Sequence, residues 1–348
     1  MKEPKRMELP REVWMGPRVL EKIVDVCHRL SLGMRPLIIA DTQTFKIAGK
    51  KIKNSLEGEC FDVHHMIIDQ SDMKTVNKVL GLAKDKVDFL LGVGGGTCID
   101  VAKFASFREK IPFLSIPTAA SHDGIASSRA SIKGGQKPTS VEAQAPVAII
   151  ADTLIIKRAP HQLLAAGCGD MVANYTAVHD WELAHRLKKG PYSEYAAALS
   201  RMSAKLVMKN AEVIKQHTEE SVRKVVKALI SSGVAMSIAG NSRPASGSEH
   251  LFSHALDLIA PNPALHGEQC GVGAIMMARL QEGNWEAIRD ALRTIGCPID
   301  SNGLGIKPEY TIKALIKARE IRPERYTILG EGLDKHAAER LARETGVI

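Results

Sequence analysis

Two histidines, His250 and His254, occupy positions i and i+4 of the segment GSEHLFSHALD. In a helix, both imidazoles project from the same face. A third histidine, His266, follows a proline-containing loop, and Asp170 follows the two glycines of AAGCGD. Two imidazoles and one carboxylate form a three-ligand set for catalytic Zn²⁺, which leaves a position open for a substrate oxygen. The spacing alone also fits ordinary structural histidines and an Asp170 that caps a helix.

A glycine-rich turn, LLGVGGGTCID, joins an apolar segment to a helix-like one. Its glycines allow the backbone to approach a ligand closely, and the helix N-terminus offers further N–H donors for a pyrophosphate. Thr97 prevents a match to the dinucleotide fingerprint G-x-G-x-x-G. Thr97 and Asp100 also have capping-box spacing, which gives Asp100 a structural alternative. Asp41, at the end of an earlier apolar segment, is a candidate for an adenosine ribose hydroxyl or a simple turn residue.

Length and composition predict a globular protein of two domains. The chain has 348 residues, of which 45% are hydrophobic and 25% charged. No apolar run approaches the roughly 18 to 20 residues that a transmembrane helix needs. The charged start, MKEPKRMELPREVW, lacks the apolar stretch of a signal peptide. We therefore expect a cytoplasmic protein without membrane insertion.

The cysteines and the net charge argue against several classes of function. Six cysteines are widely scattered without any C-x-x-C pair, so reduced thiols are expected rather than disulfides or a cysteine-type zinc site. The net charge is +8, but no Lys/Arg-rich block stands out and aromatic residues make up only 4%. Nucleic-acid binding is therefore not expected. A general positive field suits an enzyme that collects anionic substrates and a dinucleotide.

Apolar runs predict strands in the first part of the chain, and amphipathic stretches predict helices between them. The predicted strands are Pro36–Asp41, Val63–Ile68, Asp88–Val93, Pro112–Pro117 and Val147–Asp152, and the predicted helices are Thr44–Leu56, Met73–Lys84 and Thr97–Phe107. Such alternation is typical of a parallel sheet with crossover helices. Long Ala/Leu/Glu/Lys-rich segments follow, including Glu194–Gln216 and Glu219–Ser232.

The predicted fold class is therefore α/β, with a Rossmann-like parallel-sheet domain followed by an all-helical domain. We place the dinucleotide-binding α/β domain at residues 1–157 and a helical domain for metal and substrate at 158–348. The active site is expected in the cleft between them.

Several segments together resemble the archaeal-type sn-glycerol-1-phosphate dehydrogenases. That branch belongs to the superfamily of glycerol dehydrogenase, iron-containing alcohol dehydrogenases and dehydroquinate synthase. The segments are GVGGGTCIDVAKFAS, IPTAASHDGIASSRASIKGG, EAQAPVAIIADT, AGCGDMVANYTAVHDWELAHR, SGSEHLFSHALD and HGEQCGVGAIMMARL. They occur in the family's order between residues 92 and 280, so the resemblance covers most of the chain.

The resemblance implies roles for individual residues. Contacts with NAD(H) or NADP(H) are implied at Gly94, Gly95, Gly96, Thr97, Cys98, Asp100, Thr118, Ser121 and Ser127. Asp170, His250 and His266 are implied to bind the metal. Asp123 and Asp170 are implied to contact the substrate and His254 to face it, so Asp123, Asp170 and His254 are the candidate catalytic residues.

The resemblance also bears on the metal. Iron-dependent members carry a histidine four residues after the aspartate, whereas this chain has Asn174 there. The loss of one protein ligand favours zinc with an open coordination position.

The activity implied is the zinc-assisted, reversible reduction of dihydroxyacetone phosphate to sn-glycerol 1-phosphate, which supplies the backbone of archaeal membrane lipids. Arg243, shortly before His250, is our candidate for the substrate phosphate, with a surface arginine as the alternative. The cofactor can be NADH or NADPH, because Asp41 disfavours a 2′-phosphate while nearby polar residues favour it. A homo-oligomer is expected.

Three other functions fit parts of the pattern. An NAD-linked glycerol dehydrogenase would prefer unphosphorylated substrate. A dehydroquinate-synthase-like cyclase would eliminate phosphate. A non-enzymatic nucleotide-binding module would not need the metal ligands, so the Asp170, His250 and His266 set argues against it.

Overall fold

A computed structural model describes residues 7–84, 86–134 and 137–348. Residues 1–6 of the charged N-terminal segment lie outside these ranges. So does Gly135, the last residue of the segment IPTAASHDGIASSRASIKGG. The chain divides into two compact units. The first comprises the described parts of Met1–Ala120 and Gly124–Pro160, and the second comprises Ser121–Asp123 and His161–Ile348.

The first unit contains a parallel sheet and a separate antiparallel hairpin. Its strands are β1 (Glu12–Gly16), β2 (Pro36–Ala40), β3 (His64–Ile67), β4 (Phe89–Gly94), β5 (Phe113–Pro117), β6 (Arg129–Gly134), β7 (Lys137–Glu142) and β8 (Ala148–Asp152). The sheet has the order β1-β8-β5-β4-β2-β3 with parallel pairing throughout, while β6 and β7 pair with each other.

The predicted parallel sheet is confirmed. Strands β2, β4, β5 and β8 are buried along their whole length, which explains why they read as continuous apolar runs. Strand β1 was not predicted, because its half-exposed sequence EVWMG lacks such a run. The hairpin of β6 and β7 was also missed, since polar residues interrupt its apolar ones.

Helices complete the first unit and make up the second. The first unit has α1 (Ile23–Arg29), α2 (Thr42–Thr44), α3 (Lys50–Glu57), α4 (Met73–Ala83), α5 (Gly96–Glu109) and α6 (Thr153–Ile156). The second has α7 (His161–Lys188), α8 (Glu194–Lys209), α9 (Ala211–Lys215), α10 (Glu219–Ala239), α11 (Ser248–Ile259), α12 (His266–Leu280), α13 (Trp285–Ile295), α14 (Pro308–Ile321) and α15 (Lys335–Glu344). No helix in the described ranges is both long and apolar enough to cross a membrane.

Three helix predictions in the second unit need correction. Asp170 does not begin or cap a helix, because α7 continues through it from His161 to Lys188. The predicted helix Glu194–Gln216 is interrupted at Asn210, where α8 ends. The predicted helix beginning at Glu219 continues beyond Ser232 to Ala239.

Close packing of α7 against α12 explains the glycines around Asp170. A Cβ on Gly169 would lie 2.2 Å from the backbone oxygen of Gly267, and a Cβ on Gly267 would lie 1.9 Å from the oxygen of Ala166. Both distances are far inside van der Waals contact, so only glycine permits this helix separation. These glycines therefore allow close helix packing and do not mark the start of a helix.

A buried lysine ties α5 to the neighbouring backbone of the first unit. Lys103 Nζ lies 3.2 Å from Asp100 Oδ1 and donates to the carbonyl oxygens of Gly124 at 2.6 Å and Arg129 at 2.7 Å. Asp100 Oδ2 accepts from the Ser131 N–H at 2.9 Å. Asp100 therefore does not cap α5, contrary to the capping-box interpretation; no side chain caps that helix start.

We predict that Lys103→Met lowers the free energy of unfolding by about 3 kcal/mol, because it leaves the Asp100 carboxylate buried beside unpaired carbonyl groups. Urea unfolding measures the change. The exposed Arg108 on the same helix provides the control, and Arg108→Met should change stability little. Equal stability of Lys103→Met and the wild type would show that the buried ion pair is dispensable.

Candidate functional site

Four potential metal ligands converge inside the second unit. Asp170 Oδ1 lies 3.5 Å from His250 Nε2 and 4.0 Å from His266 Nε2. Cys270 Sγ lies 3.5 Å from His266 Nε2. The ligand atoms of these four residues all lie within 4.8 Å of one another. The structure thus brings together the three predicted metal ligands and adds a thiol that the sequence analysis did not assign.

Three helices supply these side chains. Asp170 lies in the buried middle of α7, His250 in the first turn of α11, and His266 at the first position of α12. Cys270 follows His266 by four residues, so both side chains project from one face of α12. The α7–α12 packing through glycine brings the carboxylate to the α12 ligands.

Further hydrogen bonds orient the three predicted ligands. Glu249 Oε1 accepts from His250 Nδ1–H at 2.8 Å, which leaves Nε2 directed towards Asp170. Ser253 Oγ lies 3.1 Å from His266 Nδ1. The Asp123 backbone N–H donates to Asp170 Oδ2 at 2.9 Å, while Oδ1 is the oxygen nearest the imidazoles. Such partners fix the tautomer and orientation of metal-binding side chains.

Burial and mutual interactions shift the acid–base properties of the cluster. Burial by itself lowers the pKa of His250, but Cys270, Asp170 and Glu249 outweigh it and the net pKa is raised. Burial by itself raises the pKa of the Cys270 thiol, but the two imidazoles lower it overall. The thiol and the carboxylate therefore stabilise positive charge beside them, a role that a divalent cation can also fill.

The distances fit a tetrahedral metal site. In a tetrahedron with zinc–nitrogen and zinc–oxygen bonds of about 2.0 Å and a zinc–sulfur bond of about 2.3 Å, neighbouring N and O ligands lie about 3.3 Å apart and S and N about 3.5 Å apart. The observed 3.5 Å between Asp170 and His250, and 3.5 Å between Cys270 and His266, agree with these values. The 4.0 Å between Asp170 and His266 requires a small contraction.

His254 borders this cluster on the same face of α11 as His250. Its ring stacks on His266 with centroids 5.6 Å apart, and its Nδ1 lies 3.7 Å from Asp257 Oδ2, beyond hydrogen-bond distance. Burial lowers the pKa of His254 to about 4. His254 is therefore a neutral imidazole beside the candidate metal ligands.

A hydrogen-bonded chain connects α7 and α10 to Asp123. Asn174 Nδ2 donates to Ser232 Oγ at 3.0 Å, and Ser232 Oγ donates to Asp123 Oδ2 at 2.8 Å. Asn174 follows Asp170 by one helical turn and supports Asp123 indirectly through Ser232. This chain holds the Asp123 carboxylate in one orientation.

The glycine turn follows β4 at a switch in the order of the sheet. Strand β2 connects to β3 on one side, whereas β4 connects to β5 on the other, and β2 and β4 are neighbours. Ligands of open α/β sheets bind in the crevice beyond the carboxyl ends of such strands. Gly94 has a φ of 152°, and a Cβ there would lie 2.8 Å from Cys98 Sγ. A Cβ on Gly95 would instead meet open space.

The other predicted cofactor residues differ in exposure and in hydrogen bonding. Thr97 is exposed at the start of α5, while Cys98 and Asp100 are buried. The Thr118 N–H donates to the Gly94 oxygen at 3.1 Å, and the buried Ser127 donates to the Arg129 oxygen at 3.3 Å. Ser121 belongs to the second unit.

Asp41, the remaining cofactor candidate, caps α2 through its Oδ1. That oxygen accepts from the N–H groups of Gln43 and Thr44, both at 2.8 Å. Asp41 Oδ2 lies 3.6 Å from Cys98 Sγ, close to the glycine turn. The capping alternative is thus observed, and it leaves Asp41 at the carboxyl end of β2.

Arg243 lies among other arginines near the start of α11. Its Nη1 donates to the Tyr326 backbone oxygen at 2.7 Å. Arg325 donates to the Ser246 oxygen at 2.5 Å, and burial together with the charges of Arg322 and Arg243 lowers its pKa. The candidate phosphate residue is therefore half-buried and tied to the backbone, not a free surface side chain.

Two residues of the cluster were missed by sequence reasoning. Cys270 was dismissed because the cysteines lack paired spacing, although its position four residues after His266 placed it on the same helix face. Glu249 directly precedes His250, and nothing in the sequence shows that its carboxylate turns back to the neighbouring imidazole. The spacing of Cys270 from His266 could have been recognised in the sequence. The contact between Glu249 and His250 could not, because it depends on side-chain conformation.

We predict that Glu249→Gln weakens zinc binding by about 10- to 100-fold, the usual effect of removing a partner of a metal-binding histidine. Glutamine keeps the shape of the fully buried side chain but removes its charge. Competition with a chromophoric chelator measures the affinity. As a control, Glu182→Gln alters a carboxylate on α7 that accepts from Tyr192, and should leave zinc affinity unchanged. Equal affinities for both variants would contradict an orienting role of Glu249.

Comparison with known sequences identifies close relatives. Residues 14–160 match the iron-containing alcohol dehydrogenase family. The chain is 59% identical over 344 residues to glycerol-1-phosphate dehydrogenase (NAD(P)+) of Thermococcus sibiricus, covering 98% of both chains. It is 55% identical over 348 residues to the enzyme of the same name from Methanothermobacter thermautotrophicus, covering 99% of this chain and 100% of the relative.

Solved structures share the fold at much lower identity. Glycerol dehydrogenase from Schizosaccharomyces pombe superposes with a TM-score of 0.84 at 20% identity, covering 99% of this chain and 91% of that one. Sulfoacetaldehyde reductase from Bifidobacterium kashiwanohense, in complex with NAD+, superposes with a TM-score of 0.76 at 16% identity and covers 99% of both chains. Because its sequence identity to curated relatives exceeds one half over nearly the whole chain, this protein belongs to the glycerol-1-phosphate dehydrogenase family.

Proposed function

We propose that this protein interconverts dihydroxyacetone phosphate and sn-glycerol 1-phosphate, using NAD(H) or NADP(H) and a zinc ion. The observation that carries the proposal is the convergence of Asp170, His250 and His266 within metal-ligand distances. The names of the relatives, which specify glycerol 1-phosphate and NAD(P)+, support the substrate and the cofactor.

The donor set supports zinc as the resident metal. Imidazole nitrogen and carboxylate oxygen, with a sulfur nearby, suit a borderline-soft ion, and Asn174 in place of a histidine reduces the nitrogen ligands that iron-dependent relatives use. When bound at Asp170, His250 and His266, the metal supplies Lewis-acid polarisation of a substrate carbonyl. A nicotinamide cofactor bound by the residues assigned below would supply the hydride.

The chain's own residues orient the substrate and move the proton. Asp123, held by Ser232 and by its own backbone bond to Asp170, is in position to accept a hydrogen bond from a substrate hydroxyl. Asp170 provides negative charge beside the reacting group. His254 borders the ligand cluster, and because its imidazole is neutral we assign it to orienting the water that delivers a proton to the developing alkoxide.

Arginine side chains provide the positive charge that a phosphorylated substrate needs. A phosphate dianion loses water when it enters a site, and charge-assisted bonds from arginine compensate for this loss. Arg243 and Arg325 lie near the start of α11, whose first turn carries His250. We assign the substrate phosphate to Arg243, with Arg325 contributing charge from its half-buried position.

The first unit, together with Ser121 of the second, is assigned to the dinucleotide. The residues proposed to contact it are Gly94, Gly95, Gly96, Thr97, Cys98, Asp100, Thr118, Ser121, Ser127 and Asp41. The glycine turn, the uncapped start of α5 and the switch point between β2 and β4 support a pyrophosphate at this end of the sheet. We further propose a cytoplasmic homo-oligomer whose product enters membrane-lipid synthesis.

The decisive experiment is a chiral product assay on purified protein with dihydroxyacetone phosphate and each reduced cofactor. We expect sn-glycerol 1-phosphate, about one zinc ion per chain, loss of activity with a chelator, and its return with zinc. His250→Ala and His266→Ala should lose both metal and turnover, because each removes a ligand. Activity that persists in metal-free protein would contradict the proposed role of zinc.

Substrate comparisons separate the alternatives. A clear preference for unphosphorylated glycerol would identify a glycerol dehydrogenase, and phosphate release without cofactor oxidation would identify a cyclase. Turnover confined to dihydroxyacetone phosphate and glycerol 1-phosphate excludes both.

We predict that Gly95→Ala weakens NADH binding by about tenfold, roughly 1.4 kcal/mol. Its Cβ meets open space within the protein, so the variant should fold normally and obstruct only the approach of the pyrophosphate. Fluorescence titration measures NADH affinity. Gly81→Ala on α4 also places its Cβ in open space and serves as the control, with unchanged affinity expected. If Gly95→Ala binds NADH like the wild type, the dinucleotide does not approach this turn.

A further inference from the structure

Cys270 lies within the ligand cluster although neither its spacing nor the family resemblance assigned it a role. The side chain is fully buried. Its sulfur is 3.5 Å from Nε2 of His266 and 3.9 Å from Nδ1, so it lies nearer the nitrogen that faces Asp170. The sulfur therefore lies on the side of the imidazole that a metal ion would occupy.

The other buried cysteines of the second unit provide a comparison. Cys168 and Cys297 are buried as Cys270 is, yet among the described residues neither belongs to a group of His, Cys, Asp and Glu ligand atoms within bonding range of one ion. Buried cysteine commonly behaves as a small apolar residue. Cys270 differs because two imidazoles and a carboxylate surround its sulfur.

We propose that Cys270 is a fourth protein ligand of the metal and that its sulfur biases the site towards zinc over harder divalent ions. The inference rests on the proposed metal site but not on the proposed substrate. Metal binding forms a metal–sulfur bond, and the thiol proton leaves to solvent. The sulfur–nitrogen distance of 3.5 Å matches the edge of about 3.5 Å expected between S and N ligands of tetrahedral zinc.

A sulfur ligand changes which metals the site prefers. Thiolate is a soft ligand that suits zinc, whereas carboxylate and water suit manganese and magnesium. Asn174 stands where iron-dependent relatives carry a histidine on α7, and Cys270 supplies a fourth donor from α12 instead. Zinc in catalytic sites can expand to five-coordination, so a fourth protein ligand is compatible with turnover.

The test uses the full-length protein loaded with Co²⁺, whose bond to a thiolate produces a charge-transfer absorption band in the near ultraviolet. We expect this band in the wild type, its loss in Cys270→Ser, and its retention in Cys297→Ser, the matched control. Zinc affinity should fall by about tenfold or more in Cys270→Ser, while Mn²⁺ affinity changes much less. Neither readout depends on enzymatic activity.

Each other outcome overturns the inference. If wild-type protein binds Co²⁺ without the band, or if Cys270→Ser keeps the band, the sulfur is not a ligand and the three-ligand site remains. If zinc and Mn²⁺ affinities fall equally, Cys270 does not set metal preference. If the wild type binds neither Co²⁺ nor zinc, the proposed metal site fails as well. The wild-type spectrum decides the question even if Cys270→Ser does not fold.

Discussion

The arrangement of the second unit depends on a carboxylate buried in the middle of a helix. Asp170 is 2% exposed, and burial of an ionised carboxylate is strongly unfavourable unless hydrogen bonds or opposite charge compensate for it. The compensation comes from the Asp123 N–H and the imidazoles of His250 and His266. Three separate parts of the chain must therefore meet at one point of α7, and a bound cation would complete the charge balance.

Under the proposed function, the first unit meets a different requirement, the approach of a large anion to the end of a sheet. Here the donors are backbone N–H groups at an uncapped helix start, and charged side chains near the turn are already paired, as Asp100 is with Lys103. Backbone donors need no charged group to be buried before the ligand arrives. This difference explains why the proposed dinucleotide site is formed by a glycine turn and the candidate metal site by titratable side chains.

The sequence predicted most of the sheet but only part of the site. Fully buried strands such as β4 read as continuous apolar runs, whereas β1 is half-exposed and carries no such signal. Asp170, after two glycines, was offered as a possible helix cap, but Gly169 instead allows close contact with Gly267, a long-range contact that no local pattern encodes. The histidine pair at i and i+4 was recognisable; the turn of Glu249 towards His250 was not, because it depends on side-chain packing.

Asn174 shows how one substitution can serve two parts of a site. The family resemblance implies a metal-binding histidine at this position in iron-dependent members, whereas the Asn174 amide donates to Ser232 and, through it, supports Asp123. The helical turn that begins at Asp170 thus carries one metal ligand and one group that orients a second carboxylate. Cys270 lies one helical turn beyond His266 on α12, and its sulfur lies 3.5 Å from His266 Nε2. The orientation of Asp123 therefore depends, through Ser232 on α10, on a residue one helical turn from Asp170.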